Sequence, residues 1–198
     1  MTEVQTIAVI GAGRVGRGIA QVAARGGYRT ILEDLLPNAL RRAENEIRSQ
    51  LDWAVESGGV SADAARAAIS RLEFAGSVED AARQADLVIE AVPEELESKI
   101  EIFTLLDKIC RPGTILASHI STLSITEISR VTYRAWNCVG MHFAEPVESE
   151  RGLEIIRGQE TDDATVAVAV EVGRRMGKET LVLQDPWGRS EDLPLGSL

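Results

Sequence analysis

Ile7–Ala20 reads IAVIGAGRVGRGIA, and this stretch decides the fold. A run of β-branched apolar residues passes directly into G-x-G-x-x-G at Gly11, Gly13 and Gly16, and an amphipathic run follows from Arg14 to Arg25. That glycine pattern is weak by itself. It becomes a dinucleotide-binding fingerprint when it follows a strand, opens a helix and has an acidic residue about 20 positions further on. Asp34 supplies the acid, at the end of a second apolar run, Arg29–Glu33.

Each residue type has a physical reason. Gly11 permits a tight turn, Gly13 lets the backbone approach a pyrophosphate, and Gly16 lets helix and strand pack closely. The loop and first turn, with Ala12, Arg14 and Val15 between the glycines, present free N–H groups and the positive end of a helix dipole to phosphates. Asp34 is placed to accept hydrogen bonds from ribose hydroxyls and to repel a 2′-phosphate, which favours NAD over NADP. Glu33 is adjacent, but strand alternation points it the other way.

Working outward, short apolar runs alternate with longer amphipathic ones, the pattern of βαβ units in a Rossmann-type, doubly wound and mostly parallel α/β sheet. Strands are expected over Val4–Ile10, Arg29–Glu33, Leu72–Phe74, Asp86–Val92, Thr114–Ser118, Trp136–Met141, Leu153–Ile156 and Thr180–Leu183. Helices are expected over Arg14–Arg25, ended by Gly26-Gly27; from Pro37 to about Glu56; over Ser61–Ser70, with Ser61 as N-cap; and over Glu94–Ile109 and Thr161–Met176. Residues 1–184 form one NAD-binding domain on this reading, and 185–198 an irregular tail without periodicity.

The 198 residues are enough for one domain, at roughly 150 residues each. Lys and Arg number 21 against 31 Asp and Glu, a net charge of −10, so the cationic footprint of a nucleic-acid partner is missing. No run approaches the roughly 20 apolar residues needed to span a membrane, and Glu3 stands where a secretory signal carries Lys or Arg. Cys110 and Cys138 have no metal-type spacing and read as core thiols in a reducing, cytoplasmic setting. No metal is expected.

The two histidines, His119 and His142, both fall at the ends of expected strands, where doubly wound sheets place their ligand crevice. A strand-end imidazole can take a proton from a hydroxyl as hydride leaves the same carbon. Spacing alone leaves a satisfied structural histidine as the commoner alternative. Glu154, at the start of the next strand, could pair with the His142 imidazole and fix its tautomer.

The segments IAVIGAGRVGRGIAQVAA, DLVIEAVPE, ILASHISTLSITEI and VGMHFAEP resemble the N-terminal NAD-binding domain of L-3-hydroxyacyl-CoA dehydrogenases, including the 3-hydroxybutyryl-CoA enzymes. The resemblance spans nearly all of residues 4 to 184. It implies a cytoplasmic oxidoreductase of fatty acid metabolism that reversibly oxidises a 3-hydroxyacyl-CoA, with NAD as cofactor and a homodimer as the usual assembly. It also implies His142 as catalytic base, Glu154 as its orienting carboxylate and Ser121 as a contact to substrate oxygen and cofactor. Glu94 and Lys99 match positions lining the nicotinamide-ribose side.

The chain also departs from that family. S-N-T-S-like sequence reads Ser118-His119-Ile120-Ser121, so His119 is either a second titrating group or a neutral substitute for an amide. H-F-F-N-P-like sequence reads HFAEP, which puts the carboxylate of Glu145, an acceptor only when ionised, in the place of an asparagine that can donate. The segment resembling a coenzyme A contact is acidic, Asp52–Ser57, where the family can place lysine. The family's helical second domain has no counterpart here, and an exposed apolar patch is expected where it would dock. These departures keep two further readings open: a catalytically weak NAD-binding module, and a dehydrogenase of a 3-hydroxy acid without coenzyme A.

Overall fold

The computed structural model describes residues 3–187. Strands β1 (Thr6–Ile10), β2 (Arg29–Glu33) and β4 (Leu87–Glu90) are buried almost throughout, as expected where helices cover both faces of a parallel sheet. With β3 (Leu72–Ala75), β5 (Ile115–Ser118), β6 (Cys138–Phe143), β7 (Gly152–Arg157) and β8 (Glu179–Gln184) they form one sheet of order β3-β2-β1-β4-β5-β6-β7-β8. Every neighbouring pair is parallel except β6 and β7, which run antiparallel. The order reverses direction between β1 and β4, so a ligand crevice opens at the carboxyl ends of those strands.

Helices α1 (Arg14–Arg25), α2 (Pro37–Glu56), α3 (Ala62–Ser70) and α7 (Asp163–Arg175) pack one face of the sheet through a core that includes Ile19, Ile47, Ala68 and Val172. Helices α4 (Val78–Ala82), α5 (Leu96–Ile109) and α6 (Ile125–Ser129) pack the other, around Phe103, Leu106 and Ile128. Ser61 caps α3 as expected, its hydroxyl accepting the Ala64 N–H. Gly27, at φ +95°, takes the left-handed position after α1. Both cysteines are buried and free, and burial pushes their thiols up, to about 11 for Cys110 and about 12 for Cys138. Among the described residues no helix is long and apolar enough to cross a membrane.

Three expectations need correction. The strand expected over Trp136–Met141 starts later and runs to Phe143, after a 3₁₀ turn over Ala135–Asn137. The antiparallel ladder with β7 extends it, pairing Phe143 with Leu153, so His142 lies within the strand rather than after it. Helices α4 and α6 did not stand out as elements. Each has five residues, too few for a 3.6-residue period to show, and each is set by a serine cap, Ser77 and Ser124. Asp185, expected to open the irregular tail, is tied to the domain. Its carboxylate accepts the Ser124 hydroxyl at 2.7 Å and the Thr126 N–H at 2.8 Å. Burial alone would raise its pKa, but these bonds hold it below the ordinary range. Residues 188–198 of the expected tail lie outside the described residues. Along the open edge, Leu181 and Val182 of β8 are exposed, as is Trp187 beyond it.

Glu33, the last residue of β2, is buried, and its position has a cost. It is 2 % exposed, and its Oε1 is buried without a hydrogen-bond partner. Burial and the neighbouring Asp34 charge push its carboxyl up to about 7. A carboxyl raised in the folded state binds its proton more tightly there than in the unfolded chain. Stability is therefore greatest below the unfolded pKa and falls as pH rises from there to about 7. Glu33→Val is expected to stabilise the chain by about 2–3 kcal/mol at pH 8 and to flatten that slope. Urea unfolding at pH 5 and pH 8 checks this; parallel pH dependence in both proteins would refute the assignment.

Candidate functional site

The turn after β1 is built as the glycines require. Gly11 sits at φ +100° and donates its N–H to the Glu33 carbonyl at 2.9 Å. A Cβ on Gly16 would lie 1.8 Å from the Gly11 carbonyl oxygen, so only glycine lets α1 meet the loop here. A Cβ on Gly13 would meet nothing within 4 Å, which leaves open space over the loop. No side chain caps α1, so its first N–H groups stay available to a ligand. The loop borders a cavity of about 550 Å³ lined by Gly11, Gly13, Arg14, Val15 and Asp34 on one side and by Glu94, His119, Ser121 and Glu145 on the other.

Asp34 is held in place from below. Its Oδ2 accepts the Ala12 N–H at 3.0 Å and its Oδ1 the Leu36 N–H at 2.9 Å. An open glycine loop, uncapped N–H groups and an acidic acceptor at the cavity rim together fit the pyrophosphate and ribose of a dinucleotide.

The opposite wall rests on a buried ion pair. Lys99 does not line the cavity, as the sequence suggested; it is fully buried beneath it. Its Nζ donates to Glu90 Oε1 at 2.9 Å, to the His119 carbonyl at 2.9 Å and to the Val92 carbonyl at 3.3 Å, with Glu94 at 3.7 Å. The reason is topological. The helix α5 that carries Lys99 packs over the ends of β4 and β5, so its first turn points into the protein. Glu90, at the end of β4, was not singled out from sequence, although an acid closing an apolar strand was the available signal. Burial raises its carboxyl pKa, against the Lys99 charge and the Ser118 hydroxyl bond. Glu94 reads this scaffold outward. Its Oε1 accepts the Ser121 N–H at 2.7 Å and the Thr122 N–H at 3.0 Å. Burial would raise its pKa, but those two N–H groups and Lys99 hold it low.

Ser121 and His142 are thereby brought together, with Ser121 Oγ 3.4 Å from His142 Nδ1. Glu154 stands directly across the β6–β7 ladder from His142, without a hydrogen bond between the two side chains among the described residues. His119 stacks on His142, with ring centroids 5.5 Å apart and planes 18° apart. Its Nδ1 lies 3.2 Å from the Met141 carbonyl. Burial, and then the neighbouring His142, lower its proton affinity. Glu145, on the turn after β6, pairs with Arg14 at 2.7 Å.

Residues 6–186 match the model of the 3-hydroxyacyl-CoA dehydrogenase NAD-binding domain family. The chain belongs to that family. A probable 3-hydroxybutyryl-CoA dehydrogenase of Bacillus subtilis (strain 168) is 38 % identical over 183 residues, covering 92 % of this chain and 63 % of the relative. The solved 3-hydroxybutyryl-CoA dehydrogenase of Escherichia coli K12 superposes with a TM-score of 0.91 at 34 % identity, over 94 % of this chain and 39 % of that one. The (S)-3-hydroxybutyryl-CoA dehydrogenase of Ralstonia eutropha gives 0.90 at 31 % identity, over 94 % and 65 %. The chain thus spans less than two thirds of the length of these proteins. What it shares with them is the NAD-binding domain of the 3-hydroxyacyl-CoA dehydrogenases.

Proposed function

We propose that this site reversibly oxidises a 3-hydroxyacyl-CoA to the 3-ketoacyl-CoA. The observation that carries the reading is the meeting of the Ser121 hydroxyl and the His142 imidazole beside the cavity that holds the glycine loop and Asp34. Bound NAD supplies the hydride acceptor. The imidazole of His142 takes the hydroxyl proton, and Ser121 Oγ holds the same substrate oxygen. Glu154, opposite His142 on β7, is placed to favour the imidazolium that forms once the ring is drawn toward it. Glu94 sets Ser121 by gripping its backbone N–H, and the buried Lys99 holds the strand end on which this depends. Gly11 to Gly16 and Asp34 hold the dinucleotide. We further infer a cytoplasmic place in fatty acid metabolism.

Titrating the chain with NADH and then adding acetoacetyl-CoA tests the reading. Saturable binding followed by loss of NADH absorbance is the expected result. Binding with no oxidation by the thioester would mean a cofactor-binding module, and oxidation by free acetoacetate alone would mean a substrate without coenzyme A. Asp34→Ala is expected to weaken NADH about 10- to 100-fold, the cost of losing hydrogen bonds to a charged group, and to raise the relative affinity for NADPH. An unchanged preference would remove Asp34 from the ribose site.

A further inference from the structure

The charge lining the NAD cavity is the wrong sign for its ligand. Asp34, Glu94 and Glu145 are carboxylates, and Arg14 is the only Lys or Arg among the described residues that line it, yet a dinucleotide brings a pyrophosphate with two negative charges. Asp34 is engaged by the Ala12 and Leu36 N–H groups, and Glu94 by those of Ser121 and Thr122. Arg17, one turn along α1, is engaged by Glu46 at 2.7 Å. Arg14 is engaged too, but across the cavity, by Glu145 at 2.7 Å.

We propose that Arg14 is a pyrophosphate ligand, and that Glu145 holds it in reserve across the cavity until the cofactor displaces it. Arg14 occupies the first position of α1, beside the uncapped N–H groups that face the phosphates. Its side chain is 72 % exposed and that of Glu145 35 %, so the pair is an exposed one, of the kind that contributes little and exchanges readily. A guanidinium binds phosphate oxygens through the same two-bond fork that it offers a carboxylate, so a bound pyrophosphate competes with Glu145 for Arg14. Cofactor binding then costs the rupture of one ion pair and leaves Glu145 without its cation. The carboxylate at position 145 therefore tunes NAD affinity through Arg14 rather than by touching the cofactor. The inference rests on the NAD site alone and stands whether or not the thioester is turned over.

NADH fluorescence titrations of the full chain test it, without substrate, for Arg14→Met, Glu145→Gln and the double variant. Both positions are exposed, and circular dichroism checks that each variant is folded. Arg14→Met is expected to weaken NADH about tenfold and to flatten the salt dependence of binding. Glu145→Gln is expected to tighten it about threefold, and the double variant to bind like Arg14→Met alone, because Glu145 acts only through Arg14. Equal tightening by Glu145→Gln in both backgrounds would mean that Glu145 repels the cofactor directly, and would overturn the proposal. So would Arg14→Met binding as tightly as the parent chain, or no NADH uptake by the parent chain at all.

Discussion

His142→Gln is expected to lower turnover of acetoacetyl-CoA with NADH by about 10²- to 10⁴-fold, the range that positioned acid–base groups contribute. Binding of NADH should stay within about threefold of the parent chain. The separation follows from the site. His142 lies on β6, and its neighbours are Ser121, the His119 ring and Glu154 across the ladder. The glycine loop and Asp34 make no contact with it among the described residues. A glutamine keeps the polarity and much of the volume but has no lone pair of useful basicity. Single-turnover kinetics beside a fluorescence titration give both numbers. A variant that keeps most of its rate would show that another group removes the proton, and His119 would be the next to replace.

Lys99→Met is expected to destabilise the chain by about 3–5 kcal/mol at neutral pH, the usual cost of leaving one charge of a buried pair without its partner. Both Lys99 and Glu90 have fully buried side chains. Removing the ammonium strands the Glu90 carboxylate and frees the Val92 and His119 carbonyls. Burial already raises the Glu90 carboxyl, and without Lys99 that raising goes unopposed. The folded variant then holds a proton that the unfolded chain releases, so its loss of stability grows as pH rises and shrinks in acid. Urea unfolding at pH 5.5 and pH 8 measures the difference. Adding Glu90→Gln should recover part of the loss at pH 8, because no charge is then left buried. If Lys99→Met costs the same at both pH values, the stranded carboxylate is not the cause. A parallel loss of NADH affinity is expected, since His119 and Glu94 rest on the same ammonium.

The glycine turn was legible because its requirements are local. Gly11 must take a positive φ and Gly16 must leave room for a carbonyl, and no other residue type does either. Asp34 directly follows β2 and lines the cavity, while Glu33, the last residue of the strand, is buried. The boundaries of α1, α2 and α3 followed from glycine, proline and serine at their ends.

Other features depend on which distant elements meet. The resemblance placed Lys99 beside the nicotinamide ribose, and an amphipathic pattern does not reveal a lysine that turns inward to a strand-end glutamate. The face-to-face placement of His142 and Glu154 comes from an antiparallel register between β6 and β7, in a sheet whose sequence pattern signals mainly parallel crossovers. Glu145 read as an isolated carboxylate in place of an amide, and only the packing of the β6–β7 turn against the start of α1 brings Arg14 to it. The sequence by itself determined the backbone that receives a dinucleotide, since φ angles and steric contacts act within a few residues. The tertiary structure decided which charges surround that backbone and which of them are paired, since burial and Coulomb interactions depend on neighbours far apart in the chain.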